Sequence, residues 1–165
     1  MSTDYGNSFT FASSSTSISF TSTDSEYALQ SAAMDATGRY VYVALGINGI
    51  FRSTNFGVTW TTRVQNGVRA STSVNNPCNS NDYLRWRSVT TDATGRFVAA
   101  AAVITCCGNC GWLYTSSDYG DSWSVTEAPV QNWGKVVIAG NSKRLVAFMS
   151  SNTDQASGFG HLFTM

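Results

Sequence analysis

The chain has 165 residues, 10 Lys and Arg against 10 Asp and Glu, and only 12% charged residues, which is the size of one domain. Zero formal net charge without a basic cluster excludes the electrostatic attraction on which binding to nucleic acid or an anionic membrane depends. With 42% hydrophobic residues and about a quarter Ser and Thr, the sequence predicts a globular protein with a polar, uncharged surface.

No targeting or membrane segment is recognisable in the sequence. The longest apolar run, residues 98–104, is much shorter than the ~20 residues that a membrane-spanning helix needs. The first thirty residues are polar and lack the basic start and apolar stretch of a signal peptide. We expect no membrane partner, and the sequence does not indicate in which cellular compartment the protein resides.

Three segments of the chain repeat one pattern, Ser-x-Asp/Asn-aromatic-Gly-x-Ser/Thr-aromatic. We call them the N-terminal box (residues 2–9), box 53–60 and box 116–123. Their defining residues are Ser2, Asp4, Gly6 and Phe9; Ser53, Asn55, Gly57 and Trp60; and Ser116, Asp118, Gly120 and Trp123. A second repeated element, Asp-Ala-Thr-Gly-Arg, occupies residues 35–39 and 92–96, and a weaker copy lies at residues 141–144. Arg39, Arg96 and Arg144 are aligned as one repeat position.

Apolar segments between these turn signals predict four short strands per repeat. In the first complete unit they are residues 27–34, 40–45, 50–52 and 58–63. The second unit runs from Arg85 to Val125, and the third runs from Trp133 to Phe163. No window has helical periodicity, so the sequence predicts an all-β fold.

The composition of the box is typical of a turn that stabilises a scaffold. The Asp or Asn side chain can accept hydrogen bonds from backbone N–H groups, and the Gly can take a positive φ. The final Trp or Phe begins a strand and supplies a large apolar anchor.

These residues resemble the Asp-box, or bacterial neuraminidase repeat, of sialidase-like β-propellers, in which the box joins the third and fourth strands of a blade. The resemblance covers essentially the whole chain and implies four-stranded antiparallel blades. Asn55 stands where the family has Asp, and Phe9 stands where it has Trp. Both residues keep the property that the turn needs, a hydrogen-bond acceptor and an aromatic ring.

The ends of the chain predict a blade split between the two termini. Residues 162–164 match the third strand before box 116–123, and the N-terminal box supplies the turn and fourth strand that would follow. We therefore expect one repeat domain, 1–165, with a fourth strand at 1–13, blades at 14–65 and 66–128, and three strands at 129–165. Three blade equivalents are too few for a ring of ~4 to 8 blades, which favours a six-bladed homodimer. A fragment of a longer propeller is the alternative.

The resemblance to sialidases also implies a catalytic centre, and its motifs are not found. The family's Phe/Tyr-Arg-Ile/Leu-Pro motif is approached only by residues 51–54, which lack Ile and Pro. The two Glu residues, Glu26 and Glu127, lie outside any recognisable nucleophile context. A hydrolytic triad would have to use the single histidine, His161, for which a surface position is the simpler interpretation. We expect no catalytic residues, no cofactor and no metal site.

Four residues of the second unit have the side chains of a ligand-binding site. Arg85, Trp86, Arg87 and Trp112 lie beside the Asn- and Ser-rich insertion at residues 66–83 and a Cys-rich loop. Aromatic rings stack on sugar faces, and arginines donate hydrogen bonds to hydroxyls. Packing of these tryptophans between blades is the competing interpretation.

The four cysteines, Cys78, Cys106, Cys107 and Cys110, are disulfide candidates. Their spacing lacks the paired C-x-x-C halves of a zinc ribbon, so a disulfide from Cys78 to one member of the cluster is favoured over zinc. Free thiols are the third possibility. A disulfide would indicate an extracellular or cell-surface location.

The function predicted from the sequence is recognition of a carbohydrate or a protein by a non-catalytic β-propeller that completes its ring by self-association. A structural protein that polymerises by exchange of blade strands is one alternative. A fragment of a larger sialidase-like glycoside hydrolase is the other.

Overall fold

The structure, a computed structural model, describes residues 29–64, 84–104, 110–140, 144–150 and 163–164. Within these ranges all regular structure is β, and no helix is long and apolar enough to cross a membrane. The predicted split of the chain into segments 1–13, 14–65, 66–128 and 129–165 stays a prediction.

Three antiparallel sheets follow one another along the chain. The first contains β1 (Ser31–Met34), β2 (Val41–Ala44), β3 (Ile50–Ser53) and β4 (Thr61–Val64), and the second contains β5 (Leu84–Thr91), β6 (Val98–Ile104), β7 (Gly111–Ser116) and β8 (Ser124–Val125). The third contains β9 (Trp133–Ile138), β10 (Leu145–Met149) and β11 (Phe163–Thr164). Each strand pairs with the next along the chain, so every sheet is a meander. The all-β prediction with four-stranded antiparallel sheets is confirmed.

The fourth strands begin later than the sequence pattern predicts. The pattern starts a strand at Val58, whereas β4 begins at Thr61. The reason is that Thr59 and Trp60 are still held in the turn, since the Thr59 N–H donates to Asn55 Oδ1 at 2.8 Å and Trp60 Nε1 donates to the Gly57 carbonyl at 3.0 Å.

The second sheet lies between the other two, and its strand β6 is buried over its whole length. Side chains alternate across a strand, so a strand covered on both faces is apolar throughout. Ala100 and Ala102 pack into a cluster with Tyr42 of the first sheet, and Ala99 and Ala101 pack into a second cluster with Val136 of the third. The small side chains let both neighbouring sheets approach closely.

The first strands of consecutive sheets are joined by a repeated serine bridge. Ser31 Oγ accepts the Val89 N–H and donates to the Val89 carbonyl, both at 3.3 Å. Ser88 makes the same pair of bonds with Val136, at 3.2 and 3.5 Å. The Ser88 bridge is buried, so it satisfies backbone groups that water does not reach.

The turns that follow these first strands are also joined from sheet to sheet. The Ala36 N–H donates to the Ala93 carbonyl at 3.0 Å, and the Ala93 N–H donates to the Gly140 carbonyl at 2.6 Å. The third sheet is therefore placed on the second by the same contacts that place the second on the first.

Two buried tyrosines differ in what their hydroxyl groups contact. Tyr42 Oη donates to the Gly95 carbonyl at 2.7 Å and lies 3.2 Å from the Tyr119 carbonyl. Tyr114 Oη is buried and has no hydrogen-bond partner among the residues that the structure describes, and burial raises the pKa of Tyr114 to about 12. A buried hydroxyl without a partner destabilises the folded state because it has lost its hydration.

We therefore expect opposite effects when each hydroxyl is removed. Tyr42→Phe should lower the free energy of unfolding by about 1 kcal/mol, and Tyr114→Phe should raise it by a similar amount. Urea denaturation of the two variants, which differ from the wild type by one oxygen atom each, measures both. Equal losses would show that Tyr114 Oη has a partner in solution.

Candidate functional site

Box 53–60 and box 116–123 connect the third and fourth strands of the first and second sheets, and their side chains make the same hydrogen bonds. Ser53 Oγ accepts the N–H groups of Asn55 and Gly57, at 3.3 and 2.8 Å. Ser116 Oγ accepts those of Asp118 and Gly120 at the same distances. In each box the final indole Nε1 donates to the glycine carbonyl at 3.0 Å. The N-terminal box, with Ser2, Asp4, Gly6 and Phe9, lies outside the described residues.

Each described box also contains a feature that the sequence pattern did not reveal. The glycines have the positive φ that the pattern predicts, 82° at Gly57 and 81° at Gly120, but the aromatic residues before them also have positive φ, 60° at Phe56 and 61° at Tyr119. A left-handed aromatic residue is strained. The two consecutive left-handed residues turn the aromatic side chain out of its own sheet.

Arg39 and Arg96 tie the Asp-Ala-Thr-Gly-Arg turn of a sheet to the box of the same sheet. Arg39 Nε donates to the Thr54 carbonyl at 3.3 Å, and Arg96 Nε donates to the Ser117 carbonyl at 2.9 Å. Arg144 does not share their position: the Ala139 N–H donates to the Arg144 carbonyl, as the Asp35 N–H donates to that of Tyr40. The structural register therefore corrects the sequence alignment by one residue, and Arg144 is equivalent to Tyr40 and Phe97.

The predicted ligand-binding residues separate into buried tryptophans and half-exposed arginines. Trp86 and Trp112 are 2% and 3% exposed and belong to the core between the first and second sheets. Both side chains point into this core, which supports the packing interpretation over stacking of these rings on a ligand.

Arg85 and Arg87 flank Trp86 on β5 and are both half-buried. The register of β5 shifts between Trp86 and Ser88, which makes Arg87 the extra residue of a bulge. Burial and the neighbouring charge of Arg85 lower the pKa of Arg87. An anion placed between the two guanidinium groups would raise the pKa of Arg87 again, because a nearby negative charge favours the protonated form.

The gap between the first and second sheets is filled by polar and aromatic side chains. Tyr40 stacks on Tyr119 of box 116–123, with ring centroids 4.7 Å apart. Arg52 Nη1 donates to the Tyr119 carbonyl and lies 3.2 Å from Asp121 Oδ1. The same carboxylate oxygen is 2.6 Å from Arg63 Nη1. The box of the second sheet is thus held on the first sheet by stacking, hydrogen bonds and two ion pairs.

The gap between the second and third sheets is open at the equivalent place. Tyr42 faces Arg52 across β2 and β3, and in the second sheet Ala99 faces Thr115 across β6 and β7. A cavity of about 270 Å³, with Thr115 in its wall, lies between the second and third sheets. Its walls combine hydroxyl and apolar side chains: Phe97, Val98, Thr115, Ser116, Ser117, Ser122, Ser124, Ile138 and Leu145.

Sequence reasoning did not identify this contrast between the two gaps. The residues that repeat along the chain are turn residues. Arg52, Arg63 and Asp121 lie between them, at positions that vary from one repeat to the next. One signal was present: the sixth residue of box 116–123 is acidic, and the unit before it carries arginines in its third and fourth strands.

Cysteine and metal chemistry are described for only part of the chain. Cys110 is half-buried and carries a free thiol, while Cys78, Cys106 and Cys107 lie outside the described residues, as does His161. The disulfide from Cys78 stays a prediction. In the described ranges no group of three or more His, Cys, Asp or Glu residues could hold a metal ion.

Comparison with known proteins returns no family model and no curated protein that matches the chain. Among solved structures, the chain is similar to "YCF48 bound to D1 peptide", with a TM-score of 0.48 and 14% sequence identity. The match covers 75% of this chain and 35% of that one, so the chain spans about a third of its length. The resemblance to the Asp-box family accordingly rests on the motif residues themselves.

The acid sensitivity of box 116–123 can be predicted from its carboxylate. Hydrogen bonds from the side chain and backbone N–H of Ser122, and from Ser116, lower the pKa of Asp118 to about 2. A carboxyl group whose pKa is lower in the folded state stabilises that state above the ordinary pKa, and this contribution is lost as the pH falls from about 4 through 2. In box 53–60 the Asn55 Oδ1 accepts the Thr59 N–H in the same way, but the Asn55 Nδ2 donates to Thr59 Oγ1, and the side chain does not titrate.

Asp118→Asn should therefore preserve the turn but remove the part of the pH dependence of stability that comes from the Asp118 carboxyl group. We expect the variant to be less stable than the wild type at neutral pH and to approach it as the pH falls from 4 to 2. Asn55→Asp, the matched control, should add an acid-dependent contribution. Urea denaturation at several pH values measures both, and parallel stability curves for wild type and Asp118→Asn would contradict the assignment.

Proposed function

We propose that the chain is a non-catalytic β-propeller recognition module in which each sheet is a blade and the ring is completed by self-association. The observation that carries the proposal is the repetition of one inter-sheet contact. Ser31 with Val89 and Ser88 with Val136 relate successive sheets in the same way, and so do the bonded turns. A constant relation between neighbouring sheets generates a ring when enough sheets are present, and closed propellers contain ~4 to 8.

The two outer faces of the three-sheet array support completion by a second copy. The outer face of the first sheet carries Met34, which is 63% exposed, together with the half-buried Phe51. The outer face of the third sheet carries Val137 and Phe148, which are 45% and 42% exposed. In the interior of the array the corresponding faces are buried, so exposed apolar side chains here are the ones that a further sheet would cover.

We expect the protein to have a solution mass near twice the 17.7 kDa of one chain, and Phe148→Glu to reduce it to that of one chain. The reason is that a carboxylate would be buried between the third sheet of one copy and the first sheet of the other. Val125→Glu is the matched control, because Val125 is 43% exposed and lies on β8 away from both outer faces.

Light scattering of the three proteins at equal concentration tests this prediction. A wild-type protein with the mass of one chain would overturn self-association. Large particles without a defined mass would favour the structural alternative, an open polymer built through the same outer faces.

The ligand-binding part of the proposal rests on the arginines of β5. The first strands of the sheets, β1, β5 and β9, pack on one another, so Arg85 and Arg87 lie on the strand shared by both inter-sheet contacts. Two neighbouring guanidinium groups, one of them with a lowered pKa, favour an anionic partner. The carbohydrate or protein that the module recognises would therefore present a carboxylate or a similar anion at this position.

Replacement of both arginines should remove this recognition. We expect Arg85→Ala/Arg87→Ala to weaken binding at least tenfold to the acidic glycans or acidic peptides that the wild type binds on an array, because charge-assisted hydrogen bonds are lost. Arg144→Ala, which removes an exposed arginine of the third sheet, is the control and should bind normally. A ligand bound equally by all three proteins would place the site elsewhere.

A further inference from the structure

The strained aromatic residue of box 53–60 is exposed, whereas its counterpart in box 116–123 is covered. Phe56 has a φ of 60°, and Tyr119 has a φ of 61°. Tyr119 uses this conformation to stack on Tyr40 of the preceding sheet. Phe56 keeps the same conformation although the residue is 49% exposed. A strained backbone that holds a large apolar ring in solvent indicates a contact with another molecule.

A second exposed residue of this box is apolar where box 116–123 is acidic. Val58 stands at the position of Asp121 and is 50% exposed. Asp121 pairs with two arginines of the sheet on which its box is seated. Phe56 and Val58, which we call the box patch, therefore require a seat that is apolar where the first sheet has these ion pairs.

The position of box 53–60 in the chain determines which sheet can cover the box patch. The box connects β3 to β4, so its seat lies on a sheet that packs on the outer face of the first sheet and precedes it in the array. The outer face of the third sheet is the face that a following sheet would cover, and its Val137 and Phe148 are 45% and 42% exposed. The third sheet of a second copy is therefore the seat that the chain itself supplies.

Arg144 supplies a partner for the Phe56 ring. It stands at the position of Tyr40 and Phe97. Tyr40 stacks on the box of the following sheet, and Phe97 lines the cavity toward the third sheet, so this position faces the sheet that follows its own. Arg144 is exposed, and a guanidinium group over an aromatic ring makes a favourable cation–π contact.

Val146 supplies an apolar partner for Val58. It pairs with the exposed Val137 across β9 and β10, so its side chain lies on the outer face of the third sheet. Its counterpart in the first sheet, Tyr42, contacts the Tyr119 carbonyl of box 116–123. At this seat an apolar residue therefore meets an apolar residue, whereas in the other seat a carboxylate meets arginines.

The bonded turns can continue their series from one copy to the next. Within the chain, the Ala36 N–H donates to the Ala93 carbonyl, and the Ala93 N–H donates to the Gly140 carbonyl. A third sheet placed before the first sheet of a second copy would direct the Gly140 N–H to the Ala36 carbonyl. Both residues are exposed, so a second copy can reach them.

We propose that box 53–60 of one copy docks on the outer face of the third sheet of a second copy. The Phe56 ring lies against the Arg144 guanidinium group, and the Val58 side chain lies against Val146. The inference rests on the self-association of the proposed function and names the contact that aligns the two copies. Since Arg144 does not lie on β5, its replacement weakens this contact without changing the affinity of a single ligand site.

A double-mutant cycle on the dissociation constant of the dimer tests the contact between Val58 and Val146. Val58→Lys should raise the constant about tenfold, because an ammonium group replaces an apolar contact and faces Arg144. Val146→Glu should also raise it, and the combined variant should bind about fivefold more tightly than the product of the single effects predicts. Val125→Lys, at an exposed valine of β8, is the matched control and should show no coupling to Val146→Glu. Sedimentation over a dilution series measures these constants.

Photo-cross-linking locates the contact without introducing a charge. The probe p-benzoylphenylalanine in place of Phe56 should form cross-links to residues 144–149 of the other chain, which a mixture of isotope-labelled and unlabelled protein identifies. The same probe in place of Tyr119 is the matched control, and it should form cross-links within one chain to the turn that contains Tyr40.

The outcomes separate failure of the docking from failure of self-association. A dimer without coupling between positions 58 and 146, or with cross-links from position 56 to other segments, would overturn the docking alone. Cross-links to residues 144–149 in large particles would keep the docking and overturn the closed ring. A protein with the mass of one chain at every concentration would overturn both.

Discussion

The second sheet must be covered on both faces, and the rest of the described structure depends on this requirement. Strand β6 is buried from Val98 to Ile104, and its small alanine side chains let both neighbouring sheets pack against it. Hydrophobic burial has little directional preference, so the alanines alone would tolerate several relative positions of the sheets. The serine bridges and the bonded turns remove that freedom, because each connects defined backbone atoms of adjacent sheets.

Hydrogen bonds made by short polar side chains give each sheet its turns and also align it with its neighbours. Within a box, Ser116 and Asp118 accept backbone N–H groups that the strand ladder leaves free. The left-handed residues that follow point Tyr119 away from its own sheet and toward the sheet before it. The turn that closes one sheet is therefore also the part that fastens it to the previous one.

The two inter-sheet gaps differ because substitutions at non-repeated positions change what fills them. In the first gap Tyr42 contacts the Tyr119 carbonyl of the next sheet's box, and Arg52 and Arg63 hold that box through Asp121. Ala99 and Thr115 stand at the positions of Tyr42 and Arg52 in the second gap, and a cavity remains. Repetition of the backbone thus specifies where one sheet lies on another, while variation of the side chains determines whether the gap between two sheets is filled or open.

The sequence by itself determined the features that depend on local chemistry: strands between turn signals, meander sheets, and turns built from Ser, Asp or Asn and Gly. These follow from residue types within a few positions of one another, so a single chain is enough to recognise them. Only the tertiary structure decided the roles of side chains that meet across sheets. It buried Trp86 and Trp112, for which the pattern alone left packing and ligand binding both open, and it shifted Arg144 by one residue relative to Arg39. It also paired Arg52 and Arg63 with Asp121, a contact between distant segments that no local pattern encodes, because it exists only after the sheets have packed.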